Sequence, residues 1–107
     1  MYKIESSKTF DLELDEAYNH IKDEFHSIIS AENLFKVLKQ KLLYLKEMPL
    51  AWPLVRDEYF ASLGFRSIQV NNYTLFYIVI VKKKVVRLAR FIHGSRDYLN
   101  LLSEEFE

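Results

Sequence analysis

The sequence contains no cysteine, which excludes both a disulfide framework and a thiolate metal site. Only two glycines and two prolines occur, which leaves little room for long loops. The longest uninterrupted apolar run, residues 75–81, is far shorter than the roughly 20 residues of a membrane-spanning helix. The first five residues, MYKIE, lack the basic and then apolar pattern of a signal peptide. We therefore expect a soluble, cytoplasmic protein without a membrane partner.

The residues that are present favour one folded domain. Hydrophobic residues make up 50% of the chain and aromatic residues 15%, a composition that is not typical of a disordered protein. A chain of 107 residues is long enough for a single hydrophobic core and too short for two. We therefore predict one domain over residues 1–107.

The charges are unevenly distributed although the formal net charge is zero. Residues 65–96 contain no acidic residue, while most of the aspartates and glutamates precede them. Basic segments attract phosphate backbones by releasing counterions, although lysines also keep an exposed strand edge soluble. The candidates for binding a nucleic acid or a partner are Arg66, Lys82, Lys83, Lys84 and Arg90.

The first half of the chain has the pattern of a short strand and two helices. Residues 2–5 alternate between apolar and polar. Thr9 is the expected cap of the first helix, and an apolar stripe follows at spacings of three and four residues. Its members are Leu14, Ala17, Tyr18, Ile21, Phe25, Ile28 and Ile29. Ser30 is the expected cap of a second helix that Pro49 ends, and we expect an irregular connector over residues 49–64.

The last third predicts a three-stranded meander. Phe65–Val70 and residues 73–81 flank Asn71-Asn72, and asparagine tolerates the positive φ of a tight hairpin turn. Pairing Val70 with Tyr73 gives one apolar face for the helices and leaves an opposite face open, with Ser67, Gln69, Thr74 and Phe76.

The next turn decides which way the side chains of the last strand, Val85–His93, point. A two-residue turn at Lys82-Lys83 places Arg87, Phe91 and His93 on the open face and Arg90 on the core side. A three-residue turn exchanges the two sets. Residues 97–102 then form a short helix or a tail. The element order predicts an α+β fold, β-α-α-β-β-β, in which a helical hairpin packs on a small antiparallel sheet.

This order, with the text FRSIQVNNYTLFYIVIVKKKVVRLARFIHGSRDYLNLL, resembles the RelE/ParE toxin superfamily over nearly the whole chain. The most specific parts are NYTLFYIV, similar to a Y-x-φ-x-Y-x-V strand of the family, and the RFIHGSRD segment. The resemblance implies a toxin of a type II toxin–antitoxin system, with a cognate antitoxin as partner. It also implies a second partner, which is either DNA gyrase, as for ParE-like members, or the ribosome with its mRNA, as for RelE-like members that cut mRNA without a metal.

The resemblance also suggests site residues. RNA-cleaving relatives usually carry an Arg where this chain has Thr74, and Arg96 matches their second Arg. The catalytic Tyr of RelE-like members falls at Leu102, with Tyr98 nearby at a different spacing. Other relatives end the last strand with His-Tyr, where this chain has His93-Gly94. The ending IHGSRDYLNLL is more similar to ParE-type tails.

The residue chemistry supplies a candidate catalytic set. Metal-free RNA cleavage needs a base, an acid and cations for the developing phosphorane charge. His93 is the candidate base or acid, Arg96 and Arg87 can bind phosphate, and Tyr98 can stack on a base. His20 and His26 are six residues apart and do not form a helical metal pair, so we expect neither a metal nor a cofactor.

Three functions stay open at this point. The chain is a gyrase-inhibiting binding module, a ribosome-dependent mRNA endonuclease or a non-toxic relative that only binds an antitoxin. The residues at Thr74 and Leu102 favour the first over a RelE-like enzyme.

Overall fold

The computed structural model of the chain describes residues 1–24 and 26–94. In chain order the elements are β1 (Lys3–Ser6), α1 (Lys8–Glu24), α2 (Ile28–Glu47), α3 (Glu58–Ser62), β2 (Phe65–Val70), β3 (Tyr73–Ile80), a 3-10 turn (Val81–Lys83) and β4 (Val85–His93). The predicted order is confirmed, with α3 added inside the expected irregular connector. The expected helix or tail over residues 97–102 lies outside the described residues. No described helix has the length and hydrophobicity that a membrane span needs.

The four strands form one sheet in the order β1-β4-β3-β2. The meander is antiparallel, as predicted, but β1 runs parallel to β4, with Lys3 opposite Val85. The sheet is therefore mixed rather than wholly antiparallel. Both helices of the hairpin lie between β1 and the meander in sequence, so no hairpin turn forces β1 to pair antiparallel. The α+β fold, a helical hairpin on a small sheet, is confirmed.

Both long helices begin at serines other than the expected caps. The Ser7 hydroxyl accepts from the Phe10 backbone N–H at 3.0 Å and donates to the Ala89 carbonyl at 2.9 Å, so Ser7 rather than Thr9 holds the start of α1. Ser27 caps α2 by accepting from the Ser30 backbone N–H at 3.1 Å. The prediction of Ser30 as the cap is therefore wrong by three residues.

The helical hairpin covers one face of the sheet, where the main core lies. Alternating residues of β2, β3 and β4 meet the inward side chains of α1 and α2 there. Its buried members are Phe10, Ala17, Leu34, Leu38, Leu45, Ile68, Val70, Tyr73, Leu75, Tyr77, Val86, Leu88 and Phe91. The inward face of the predicted hairpin supplies the strand residues of this core, and Leu14, Ala17 and Ile21 of the predicted helix stripe belong to it or pack on it. The stripe is wrong at Ile28 and Ile29, which begin α2 and are 56% and 81% exposed, because the first helix ends at Glu24.

The opposite face of the sheet is only partly open. Helix α3 and the segment before it pack there against a second cluster of Val55, Phe60, Phe65, Phe76, Ala89 and Ile92. The Asp57 carboxylate caps α3 by accepting from the Phe60 backbone N–H at 3.0 Å. Phe76, which we expected on an open surface, is 3% exposed because this second layer covers it.

The hairpin turn forms as predicted, whereas the next connection differs. Val70 pairs with Tyr73 across Asn71, whose φ is 54°. The chain then turns through Val81–Lys83, and Lys84 adopts a left-handed conformation with φ 53°. A single exposed turn of 3-10 helix thus replaces the short strand-to-strand turn that the lysines predicted.

A bulge in β4 decides where its side chains point. Phe76 pairs with Arg90 while Tyr77 pairs with Leu88, so Ala89 is an extra residue between them. The bulge shifts the side-chain alternation by one position. Arg87, paired with Ile78, therefore lies on the face away from the helical hairpin, whereas Phe91 belongs to the main core. Neither of the two predicted sets of side-chain orientations in β4 is therefore confirmed in full.

Candidate functional site

His93 ends β4 at the edge of the sheet where the β2–β3 turn and the second half of α1 meet. The Gly94 backbone N–H donates to the Asn72 carbonyl at 2.7 Å and fixes the end of the strand against that turn. The His93 ring contacts the Tyr73 ring edge-on, with centroids 5.0 Å apart. The centroid of His20 on α1 lies 6.3 Å from that of His93. Two imidazoles and a phenol thus share one site.

Helix α1 contributes to this site with one face. Glu13, Glu16, Ala17 and His20 follow each other at spacings of three, one and three residues, which places them on the same side of the helix. Buried Ala17 lets this face approach β4 closely. The helix thereby brings two carboxylates and an imidazole next to the end of β4.

Two of the cavities that His93 lines also share His20 and Tyr73. The first has a volume of about 430 Å³ and is lined by Glu13, Glu16, Ala17, His20, Tyr73, Phe91, Ile92 and His93. The second has a volume of about 580 Å³ and is lined by His20, Ile21, Ser27, Ser30, Asn33, Asn71, Asn72, Tyr73 and His93. We call these two cavities together the His93 cleft. Its lining, as far as the structure describes it, includes no lysine or arginine.

The aromatic side of the cleft is firmly packed. Tyr73 is 6% exposed and stacks on Phe91, with centroids 4.9 Å apart and planes at 3°. Burial raises the pKa of the Tyr73 hydroxyl above its ordinary value, because the charged phenolate loses hydration there. Tyr73 therefore stays protonated at neutral pH and can act as a hydrogen-bond donor.

A buried ion pair anchors α1 to β4 beside the cleft. Arg90 Nε and Nη2 donate to the two carboxylate oxygens of Glu13 at 3.0 and 2.8 Å. The same carboxylate accepts from the Phe91 backbone N–H at 2.9 Å. Strand β1 pairs with β4 only as far as Leu88, so Glu13 satisfies an N–H on the strand edge that β1 does not reach.

This ion pair corrects the expectation for Arg90. Its side chain is 6% exposed, and the carboxylate of Glu13 neutralises its charge. A buried guanidinium held by two hydrogen bonds does not present a positive charge to a phosphate backbone. Arg90 is therefore an internal anchor and not part of a basic surface.

The other candidate residues do not converge on the cleft. Arg87 is exposed on the opposite face of the sheet from His93. Arg66 is half-buried on β2, and its guanidinium donates to the Trp52 carbonyl, so it holds the connector. Lys82, Lys83 and Lys84 are exposed at the far end of β4. Arg96 and Tyr98 lie outside the described residues, as does the position of Leu102.

The cleft supplies proton-transfer groups and hydrogen-bond donors. His20 and His93 supply two imidazoles that can accept or release a proton as acid and base, and Tyr73 is a hydrogen-bond donor. Of the two lining carboxylates, Glu13 is neutralised by Arg90, so Glu16 is the one that disfavours a dianionic phosphate. Within residues 1–24 and 26–94, no group of three or more His, Asp or Glu side chains is placed to hold a metal ion.

Sequence reasoning found His93 but missed its neighbours. It considered His20 only together with His26, although His20 lies three residues after buried Ala17 on the inward side of α1. It also did not single out Glu13. The helical spacing of Glu13, Ala17 and His20 was the available signal, because one helix face must meet one neighbour.

Comparison with known proteins agrees with the fold. The family model for the ParE toxin of type II toxin–antitoxin systems, parDE, matches residues 4–98. No curated protein matches the chain in sequence.

Solved structures of bacterial toxins are similar in fold. The chromosomal ParDE system of P. aeruginosa contains a chain with a TM-score of 0.69 at 13% identity, which covers 89% of this chain and 98% of that one. A metal-bound toxin from Helicobacter pylori has a TM-score of 0.63 at 24% identity, covering 91% and 99%. The E. coli RelBE complex contains a chain with a TM-score of 0.58 at 20% identity, covering 90% and 100%. These likenesses establish the fold, and the family match over most of the sequence establishes that the chain belongs to the ParE toxin family of type II toxin–antitoxin systems.

Proposed function

We propose that this chain is a cytoplasmic growth-inhibiting toxin that acts as a binding module on DNA gyrase and does not cleave RNA. The observation that carries this proposal is that the basic side chains within residues 1–24 and 26–94 are separated from the His93 cleft. Arg87 lies on the opposite face of the sheet, and Arg90 is neutralised by Glu13. RNA cleavage without a metal needs a cation at the developing phosphorane, whereas the described lining of the cleft offers the Glu16 carboxylate and the Glu13 carboxylate, which is already paired with Arg90.

A cognate antitoxin is the second partner in this proposal. Helix α2 and its C-cap residue carry large apolar side chains that are mostly exposed in the described structure: Leu43 at 55%, Tyr44 at 60% and, at the cap, Met48 at 60%. Leu43 and Tyr44 also line a shallow groove with Gln40 and Glu47. Exposed apolar grooves on a helix are typical seats for an amphipathic helix of a partner. Several similar solved structures are toxin–antitoxin complexes, which supports the same partner for this chain.

A ribosome-dependent mRNA endonuclease is the second candidate, and the His20–His93 pair favours it. Two imidazoles with ring centroids 6.3 Å apart, beside a protonated tyrosine, resemble the general acid and base of a cleavage site. In this candidate the cation comes from outside the described residues, where Arg96 lies. The third possibility, a relative that binds an antitoxin without being toxic, predicts no growth effect at all.

The test is expression of the chain from a tightly controlled promoter, with mRNA integrity and DNA breaks followed in the same culture. We expect growth arrest with DNA breaks and intact mRNA, reversed when the antitoxin is co-expressed. Rapid mRNA cleavage without DNA breaks would overturn the gyrase proposal in favour of the endonuclease. Absence of any growth effect at full expression would leave only antitoxin binding.

His93→Ala and Arg96→Ala are the matched variants. Under the gyrase proposal, His93→Ala keeps its toxicity, because the imidazole has no chemical step to perform. Under the endonuclease candidate, both variants lose mRNA cleavage by 10²-fold or more, since general acid–base catalysis and charge stabilisation each contribute about that much. Leu43→Ala, which lies on the exposed side of α2, serves as the control, because it changes antitoxin binding and leaves the cleft intact.

A further inference from the structure

The end of the sheet opposite the His93 cleft gathers lysines from three separate parts of the sequence. The Lys3 backbone N–H donates to the Lys84 carbonyl at 2.9 Å, and the Tyr2 N–H donates to the Lys46 carbonyl at 2.8 Å. The first strand thus joins the end of α2 to the β3–β4 turn. Lys82 and Lys83 extend from the same turn. We call this group, Lys3, Lys46, Lys82, Lys83 and Lys84, the lysine end.

The charges of the lysine end are available to a partner. Lys3, Lys82, Lys83 and Lys84 are exposed, and Lys46 is half-buried. Within the part of the chain that the structure describes, none of these side chains forms an ion pair with a carboxylate. Two acidic residues lie nearby, Glu47 beside Lys46 and Glu5 opposite Arg87 in the sheet register, so positive charge remains in excess.

We propose that the lysine end is a second binding site, which docks the phosphate backbone of a nucleic acid without reading its sequence. Lysine is a flexible point charge that suits repeated phosphates, whereas recognition of one defined anion usually uses the planar fork of arginine. Protein interfaces are depleted in lysine and depend on buried aromatic anchors. Beside β1 and on the β3–β4 turn, the large exposed apolar side chains are Met1, 80% exposed, and Val81, 55% exposed. Neither is an aromatic anchor, so a nucleic acid fits the lysine end better than a protein.

The site is spatially separate from the cleft. Strand β4 runs from Val85 at the lysine end to His93 at the cleft. At about 3.3 Å per residue this strand spans about 26 Å, roughly three Debye lengths at physiological salt. The lysine end therefore holds a polyanion without depending on the chemistry of the cleft, whichever target the toxin has.

Salt-dependent binding of a labelled random-sequence DNA duplex of about 20 base pairs to the full chain tests the proposal. The variant is Lys82→Gln/Lys83→Gln. The matched control is Lys36→Gln/Lys39→Gln, which removes the same charge from exposed positions on α2 that precede Lys46 by about 10–15 Å along the helix axis. Both doubles change exposed lysines only, and their urea unfolding curves verify that the fold is kept.

We expect the lysine-end double to weaken binding by about tenfold near 0.1 M salt and to reduce the slope of log K against log salt concentration by about 1.8, because each lost phosphate contact contributes about 0.9. The control is expected to change affinity less than twofold. Equal losses in the two doubles, or no loss in either, would overturn the proposal. The proposal would also be overturned if polyglutamate competed as well as DNA at the same concentration of charge. Binding to anionic lipid vesicles that equals binding to DNA at the same charge concentration would have the same meaning. The assay contains no gyrase and no ribosome, so its failure leaves the proposed toxin function standing.

Discussion

Removal of the Glu13 carboxylate is the sharpest test of how α1 is held on the sheet. Glu13→Ala deletes the two carboxylate oxygens that accept from the buried Arg90 guanidinium, and with them the acceptor of the Phe91 backbone N–H. The guanidinium has little access to water, with its side chain 6% exposed, so water does not replace the compensation that the carboxylate gave. Loss of one partner from a buried ion pair typically costs about 3–5 kcal/mol.

The expected loss lies at the low end of that range. The Glu13 side chain is 18% exposed, so water can enter where the carboxylate was and solvate part of the guanidinium. We therefore expect Glu13→Ala to lower the free energy of unfolding by about 3 kcal/mol. Small domains are stable by about 5–15 kcal/mol, so the change is a large part of the total.

Urea unfolding at neutral pH, monitored by tryptophan fluorescence and circular dichroism, measures this loss. Glu16→Ala is the matched control, because Glu16 is exposed on the same helix and is expected to cost less than about 0.5 kcal/mol. In Glu13→Ala/Arg90→Met no charge is left buried, so the double variant is expected to recover about 2 kcal/mol relative to the sum of the single changes. A Glu13→Ala loss below about 1 kcal/mol, as for surface ion pairs, would refute this account of the anchor.

Three further predictions concern the core and the turn. Burial raises the pKa of the Tyr77 hydroxyl to about 12, so the stability that its protonated form contributes is complete below pH 10 and is lost as the pH rises through 12. In denaturation at about pH 11, wild type is expected to lose about 1 kcal/mol more than Tyr77→Phe, and identical pH profiles would contradict this. Leu34→Ala, at a fully buried position of the main core, is expected to cost about 2–5 kcal/mol in urea unfolding, and a value below about 1 kcal/mol would mean that the site is not tightly packed. Asn71→Gly is expected to be neutral or slightly stabilising while Asn71→Val destabilises by about 1–2 kcal/mol, because a β-branched residue does not tolerate a φ of 54°; equal thermal midpoints would exclude that strain.

Local rules predicted the hairpin well and the helix starts poorly, and the physical reason differs between the two. Asn71 allows a positive φ, and the alternation on either side leaves only one register that buries the apolar set, so Val70 had to pair with Tyr73. A serine cap is not unique in the same way. Ser27 and Ser30 are both suitable caps by residue type, and only the course of the folded chain selected Ser27.

The candidate site likewise combines a residue that the sequence predicted with residues that only the structure brought together. The sequence identified His93 from its place at the end of a strand, and the structure adds His20, Tyr73 and Glu13 around it. It also grouped Arg90 with the surface lysines, because a run without acids gives no sign that an acidic residue 77 positions earlier neutralises one of its members. Contacts between residues so distant in sequence depend on the packing of α1 against β4 and not on any local pattern.

The sequence by itself determined the element types, the α+β class, the family and the register of the hairpin, because helix periodicity, strand alternation and an asparagine turn all act over a few residues. Only the tertiary structure decided that β1 lies parallel to β4, that the bulge at Ala89 turns His93 towards the helices and leaves Arg87 on the other face, and that lysines from three segments meet at one end. Those outcomes depend on contacts between segments that are far apart in sequence. One example is the edge of β4 beyond Leu88, with which β1 does not pair. The backbone hydrogen bonds of that edge are completed by Ser7 and Glu13 of a distant segment, which no local pattern specifies.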